Sequence, residues 1–142
     1  MPEDERLAEL RRDACSPSWE VRATTGQRLA LLVGDPGVDD LLTSLLLDPI
    51  DTAVTYETAR SLLRHDDAHA VRLVLTALGG GDGDQADEIM AAISHTYEGE
   101  GEGVWRAVWQ RCQALLEDPD ERVRLGAASV LGLRRPSNDN TI

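Results

Sequence analysis

Two histidines and two aspartates lie within five residues, in the segment HDDAH that covers positions 65–69. Imidazole nitrogens and carboxylate oxygens are ligands that metal ions accept, so the residue types suit a metal site. An Asp-Asp pair is also typical of a turn between helices, and such a turn would place His65 and His69 on different helical faces. The third histidine, His95, is 26 residues away from His69. We therefore interpret the segment as an inter-helix turn with Asp67 as a helix N-cap, and we expect no metal site.

Two further segments combine glycines with carboxylates: GGGDGDQADE at 79–88 and EGEGEG at 98–103. The first resembles a calcium loop in composition, but no glycine falls at the sixth position from Asp82 and no glutamate at the twelfth. We predict a flexible linker that ends in an N-cap at Asp84. The second segment is predicted to be a mobile acidic loop, with calcium or a basic partner as alternative ligands.

Nothing in the sequence marks a catalytic site. A nucleophile needs an adjacent base or an unusual backbone turn, and no serine of this chain has a recognisable elbow or a basic neighbour. The carboxylates are many, but they are distributed as a solvated surface. The sequence therefore predicts a protein that is not an enzyme and uses no cofactor. The serines considered are Ser16, Ser44, Ser61, Ser94 and Ser129.

Composition narrows the class of partner. The chain has 142 residues, 42% of them hydrophobic, with 4% aromatic residues and no Phe, so the core must consist of Leu, Val and Ala. The net charge is −12, and all 14 basic residues are Arg. Such an acidic chain lacks the basic surface that nucleic-acid binding requires, and it favours a basic protein as partner. The absence of Lys and Phe indicates GC-rich, bacterial codon usage.

The N-terminal sequence MPEDERLAEL contains charges from the start and no apolar core of a signal peptide. No stretch reaches the roughly 18 apolar residues that a membrane helix needs. Cys15 and Cys112 fit no metal or redox spacing, and we expect both to be free thiols. These features predict a cytoplasmic protein without membrane contact.

Apolar residues recur at three- and four-residue steps along most of the chain, which predicts amphipathic helices, and no strand pattern competes. Asp-Pro pairs at 35–36, 48–49 and 118–119 interrupt the pattern, because proline and the residue before it leave the helical conformation. The predicted first helices of successive pairs cover 3–14, 38–47, 68–78 and 104–117. The predicted N-caps are Asp51, Asp67, Asp84 and Asp120.

The second helices repeat at an almost constant period. In the first, second and fourth of them, a β-branched residue is followed by a small residue one turn later and by Leu two turns later, as in Val123, Ala127 and Leu131. The third matches loosely, with Ile89, Ile93 and Tyr97. The equivalent residues are separated by 33, 35 and 34 positions, which indicates four structural repeats. Ala127 and its neighbour Ala128 are expected to let helices approach closely. The equivalent anchor residues are Val21, Val54, Ile89 and Val123.

The last unit, with Asp118 before its second helix and Val123-Arg124 at the start of that helix, resembles the HEAT-repeat family, in particular its short bacterial forms. The resemblance covers about residues 3–135. It implies an all-α fold, a right-handed α-solenoid of about four antiparallel helix pairs, with a single domain at 1–135 and a polar tail at 136–142. It also implies Asp–Arg pairs that link neighbouring repeats.

Three units depart from that pattern. The first keeps Val21-Arg22 but has Ser16 in place of the aspartate, and the second has Asp48 but Thr55 in place of the arginine. The third keeps only the apolar positions. We therefore expect the Asp–Arg pairing to be interrupted in the middle of the chain.

One set of polar and aromatic residues falls on a common face of the second helices. Counted from the repeat anchors they occupy positions −2, +2 and +6, which lie on one side of a helix. Trp, Tyr and Arg dominate binding hot spots, so we predict that this stripe contacts a partner protein. Trp105 and Trp109 are expected in the core instead. The predicted partner-binding residues are Trp19, Tyr56, Arg60 and His95.

The sequence thus predicts a scaffold or adaptor that binds another protein on its curved helical surface. A first alternative is a small acidic immunity or inhibitor protein that neutralises a basic toxin or enzyme. A second is a HEAT-like lyase or DNA-glycosylase-type enzyme, but the basic groove of such enzymes has no counterpart in this composition.

Overall fold

The computed structural model describes residues 2–65, 67–133 and 135–136, and within them it contains eight α-helices and no strand. The predicted all-α class is thereby confirmed. The predicted tail lies, apart from Pro136, outside the described residues. The helices are α1 Pro2–Ala14, α2 Trp19–Ala30, α3 Pro36–Leu46, α4 Thr52–Leu63, α5 Ala68–Gly80, α6 Gly83–Gly99, α7 Glu102–Ala114 and α8 Glu121–Leu131, with a 3₁₀ turn Leu115–Glu117 before α8.

Side-chain caps determine where most of these helices begin. The carboxylates of Asp51, Asp67 and Asp120 accept hydrogen bonds from backbone amides of the first turns of α4, α5 and α8, as predicted. The prediction for α6 was wrong, because its N-cap is Asp82 and Asp84 lies in the first turn. Asp82 and Gln85 form a reciprocal capping box there, which satisfies two amides at once.

The glycine-rich segments are largely helical, contrary to prediction. Gly79 and Gly80 form the last turn of α5, and α6 begins at Gly83. Helix α6 continues to Gly99, so only Glu100 and Gly101 separate it from α7. Gly101 has a φ of 98°, a conformation that glycine adopts without strain and that permits this short connection.

Helices α2, α4 and α6 pack side by side in a row, and α1, α3 and α5 each pack against the helix that follows. Leucine, valine and alanine supply most of the buried hydrophobic side chains, as the composition predicts. The anchors Val54, Ile89 and Val123 are also completely buried, whereas Val21 of the first unit is 38% exposed. The anchor position is therefore buried in three units out of four.

Helix α8 does not continue the row but packs mainly on α5. Glycines allow this contact, because a Cβ on Gly126 would lie 2.4 Å from the carbonyl oxygen of Leu75, and one on Gly79 would lie 1.9 Å from that of Arg122. Ala127 is buried beside Gly126, but Ala128 is exposed. The close approach predicted for an alanine pair is thus made by two glycines and Ala127.

Candidate partner-binding surface

A buried ion pair joins α2 to the turn before α4. Arg22 donates from Nε and Nη2 to the two carboxylate oxygens of Asp48, both at 3.1 Å, and each residue is 5% exposed. The third guanidinium nitrogen, Nη1, donates to the carbonyl oxygen of Ser16 at 2.8 Å. Asp48 also accepts the backbone amide of Asp51 at 2.9 Å. One arginine therefore fixes the turns before two neighbouring helices.

A second pair of the same design joins α5 to the turn before α8. Arg72 donates from Nε and Nη2 to Asp118 at 2.9 and 3.0 Å, and Asp118 accepts the backbone amide of Asp120. The hydrogen bond from Arg72 holds the pKa of Asp118 below its usual value. Arg124, the arginine of the repeat pattern, donates instead to the carbonyl oxygen of Asp118 at 2.7 Å. Sequence reasoning missed Arg72 because, although it follows Val71, it lies on a predicted first helix and not at the start of a second helix.

Within the described residues, the second unit makes no such pair at its Val-Thr position, as expected. Thr55 occupies the position equivalent to Arg22, and its buried hydroxyl has no hydrogen-bond partner within the described residues. A different residue makes the link here: Gln85 of α6 donates from Nε2 to the carbonyl oxygen of Leu47 at 2.9 Å.

Three of the four predicted contact residues are joined directly. Arg60 of α4 donates from Nη1 to the hydroxyl oxygen of Tyr56 at 2.9 Å, and that hydroxyl is hydrogen-bonded to Nδ1 of His95 on α6. The rings of Tyr56 and His95 meet edge to face with centroids 5.4 Å apart. The guanidinium carbon of Arg60 lies 5.8 Å from the Tyr56 ring centroid.

Glu100 completes this group, which we call the α4–α6 cluster: Tyr56, Arg60, His95 and Glu100. The carboxylate of Glu100 accepts a hydrogen bond from Nη2 of Arg60 and lies 3.4 Å from Nε of Arg64. The hydrogen bond from Arg60 lowers the pKa of Glu100, and the hydrogen bond to Tyr56 raises that of Arg60. Sequence analysis missed Glu100 because it placed this residue in a mobile loop, whereas Glu100 is the C-cap of α6.

Trp19, the fourth predicted contact residue, is the first residue of α2 and is 44% exposed. It takes no part in the hydrogen bonds of the α4–α6 cluster. The α2–α4 boundary instead carries a bond from Nε2 of Gln27 to Glu57 at 3.2 Å. The predicted stripe is therefore one connected cluster on α4 and α6 plus a separate tryptophan on α2.

The histidine–aspartate segment functions as a turn in the structure. Asp67 accepts the amides of His69 and Ala70, and the ring of His69 bonds to Asp39 of α3. Asp66 lies outside the described residues. Among the residues that are described, no group of three or more His, Cys, Asp or Glu side chains is placed to hold a metal ion.

Both cysteines are free thiols, as predicted. Cys15 is exposed, whereas Cys112 is buried on α7, and this burial raises the pKa of its thiol to about 12. Burial therefore disfavours the thiolate, the reactive form, of Cys112. Trp105, also on α7, is completely buried, and Trp109 packs against it with ring centroids 5.9 Å apart.

No helix within the described part of the chain is long and apolar enough to cross a membrane. Comparison of the chain with protein-family models, with curated proteins and with solved structures finds no match.

Proposed function

We propose that this protein is a protein-interaction module, a short HEAT-like α-solenoid with a right-handed superhelix, that binds a partner protein on the row α2–α4–α6. The parallel between the Arg22–Asp48 and Arg72–Asp118 pairs supports the HEAT-like part of this proposal, because Asp–Arg links between units are what the resemblance implies. The placement of α8 on α5 restricts the regular row to the first three pairs.

The α4–α6 cluster is the observation that carries the proposal. Tyr, Arg and His side chains from two neighbouring helices are held together by hydrogen bonds while His95 remains exposed. Side chains that are already ordered lose less entropy when a partner binds, which increases affinity. Tyr and Arg are also the residue types that contribute most to protein interfaces.

The charge of the chain favours a basic partner. We place this interaction in the cytoplasm. A net charge of −12 would attract such a partner over a distance and accelerate encounter. The same charge, together with the small size, favours a more specific second candidate, an immunity-type inhibitor that covers a basic toxin or enzyme. Either role requires binding rather than catalysis.

Affinity capture with matched variants tests the proposal. The chain is immobilised, exposed to extract of its source cell, and the captured proteins are quantified by mass spectrometry. We expect a specific partner to be captured by the unmodified chain and strongly depleted with Tyr56→Ala/Arg60→Ala. The control is Gln110→Ala/Gln113→Ala, a pair of exposed residues on α7. Circular dichroism verifies that each variant remains helical.

Each outcome of the capture experiment supports or contradicts a different part of the proposal. A partner retained by both variants would place binding on another surface, and an inhibitor role is supported only if the captured partner is a basic protein whose activity the chain suppresses. If no protein were enriched over a blank matrix from extracts in which the chain is expressed, the interaction-module proposal would be wrong.

A further inference from the structure

The three turns that precede α2, α4 and α6 lie next to one another at one end of the helix row. Arg22 connects the first to the second, because it binds both the carbonyl oxygen of Ser16 and the carboxylate of Asp48. Gln85 connects the second to the third through the carbonyl oxygen of Leu47. We call this end the turn edge, consisting of residues 16–20, 47–52 and 81–84.

Large apolar side chains are exposed on the turn edge. Ile50 is 81% exposed, the highest value of any large hydrophobic residue described, and Trp19 is 44% exposed. Pro17 and Pro49 are exposed beside them. The Arg22 pair and the side-chain caps of Ser18 and Asp51 hold these turns in place, so the apolar side chains project from an ordered backbone. Apolar side chains that are exposed on adjacent turns at one edge suit contact with a partner protein.

The surroundings of these apolar residues are acidic. Glu20, Asp82 and Asp84 are exposed on the turn edge, and Asp51 is half-buried. Arg22 is the only cation in residues 16–22, 47–54 and 81–86, and it is buried against Asp48. The exposed charges within these three segments are therefore all negative, and Arg122, whose side chain packs against Gly80 beside them, is paired with Asp120.

We propose that the turn edge binds a basic segment of the partner protein in which an apolar side chain is flanked by Arg or Lys. The apolar side chain contacts Trp19 and Ile50, and the flanking cations lie near Glu20, Asp82 and Asp84. Charge complementarity selects this occupant, because an acidic or neutral apolar segment would leave the carboxylates without partners. The inference rests on the proposed interaction function and adds a second contact surface to the α4–α6 cluster.

Fluorescence anisotropy with three labelled peptides tests the inference on the intact chain. The first peptide alternates Leu with Arg, the second replaces every Leu by Gly at the same charge, and the third replaces every Arg by Glu. We expect the Leu/Arg peptide to bind, the Gly/Arg peptide to bind about tenfold more weakly or worse, and the Leu/Glu peptide not to bind. These contrasts require both an apolar and an electrostatic contribution.

Two serine variants locate the binding site. Ile50→Ser should weaken binding of the Leu/Arg peptide by about tenfold, because it removes the most exposed apolar side chain of the turn edge. Leu31→Ser should leave it unchanged within about twofold; Leu31 is 68% exposed but caps the opposite end of α2. Both changes are at exposed positions, so neither is expected to affect folding.

The inference would be overturned if the Leu/Arg peptide did not bind, if the Gly/Arg peptide bound equally well, or if Ile50→Ser and Leu31→Ser had the same effect. None of these outcomes involves Tyr56 or Arg60. The capture experiment with variants of those two residues therefore tests the proposed function independently, and the two proposals can fail separately.

Discussion

At the scale of single residues, the guanidinium group of Arg22 makes several stabilising contacts at once. It neutralises a buried carboxylate, satisfies the carbonyl of Ser16 and holds two turns together. The Arg28–Asp13 pair, by contrast, spans 3.7 Å, and its side chains are more than a third exposed. The burial of an ion pair decides how much its loss lowers the stability of the fold. Removing one member of a buried pair leaves the other charge without compensation.

We expect Arg22→Met to lower the free energy of unfolding by about 3–5 kcal/mol, since it leaves Asp48 buried and unpaired. The matched change Arg28→Met should cost less than about 1 kcal/mol, because that pair is solvent-screened. Urea denaturation followed by circular dichroism measures both. Equal losses for the two variants would show that Asp48 is not buried as described.

Asp120 provides a pH test at the same scale. Hydrogen bonds from the side chain and backbone amide of Arg122 lower the pKa of Asp120 to about 2, from an ordinary value of 3.8. The folded state thus favours the carboxylate, so this stabilisation is complete above about pH 4 and is lost as the pH falls towards about 2. Asp120→Asn retains an N-cap but removes the charge.

The melting temperature of Asp120→Asn should therefore be below that of the unmodified chain at neutral pH, and the difference should shrink as the pH falls from about 4 to about 2. Thermal unfolding of both proteins at several pH values in this range measures the difference in melting temperature. A difference that stays constant down to pH 2 would contradict the assigned hydrogen bonds.

At the scale of helices, the contact between α5 and α8 depends on glycine. Alanine is a better helix former than glycine by about 1 kcal/mol, so Gly126→Ala would stabilise an isolated helix. In this fold the added Cβ would meet the backbone of Leu75 at 2.4 Å, and backbone cannot move aside as a flexible side chain can. We expect Gly126→Ala to lower the melting temperature and to loosen α8.

Gly132→Ala is the control, because the nearest atom to its Cβ would be 3.4 Å away, in ordinary contact. Its melting temperature should be equal to or above that of the unmodified chain. Differential scanning calorimetry of both variants measures these melting temperatures. A gain in stability from both changes would mean that α8 does not approach α5 at Gly126.

Most helix ends that depend on neighbouring residues were predictable from the sequence, although the capping box of α6 was missed, and features that depend on distant residues were not predictable. The turns at Asp48-Pro49 and Asp118-Pro119 follow from proline chemistry alone. By contrast, the glycines at 79–80 are helical although glycine is a poor helix former, and Gly79 packs closely on Arg122, 43 residues later. Glu100 joins the candidate site only because α6 extends to Gly99.

The candidate site itself was partly predictable. Helical periodicity placed Tyr56, Arg60 and His95 on one face, and the structure joins them. The same periodicity included Trp19, but periodicity does not show how far apart two helices hold their side chains. Arg72 was missed although it follows Val71, because a period of about 34 residues assigns it to a first helix and gives no signal for the packing of α8 on α5.

At the scale of the whole molecule, the net charge of −12 should determine how fast the partner associates. Raising the salt concentration from about 50 to about 500 mM shortens the Debye length roughly threefold. We expect the association rate constant with a basic partner to fall by about tenfold or more and the dissociation rate constant to change little. Surface plasmon resonance measures both. An association rate independent of salt would exclude a basic partner.

The most direct test of the account is to map the partner's footprint on the chain by NMR, with the captured partner purified and added to isotope-labelled protein. We predict that chemical-shift changes concentrate on exposed residues of α2, α4 and α6, including Tyr56 and His95 of the α4–α6 cluster. Changes concentrated on α3, α7 or α8, with the resonances of Tyr56 and His95 unmoved, would contradict the proposal that the helix row is the binding surface.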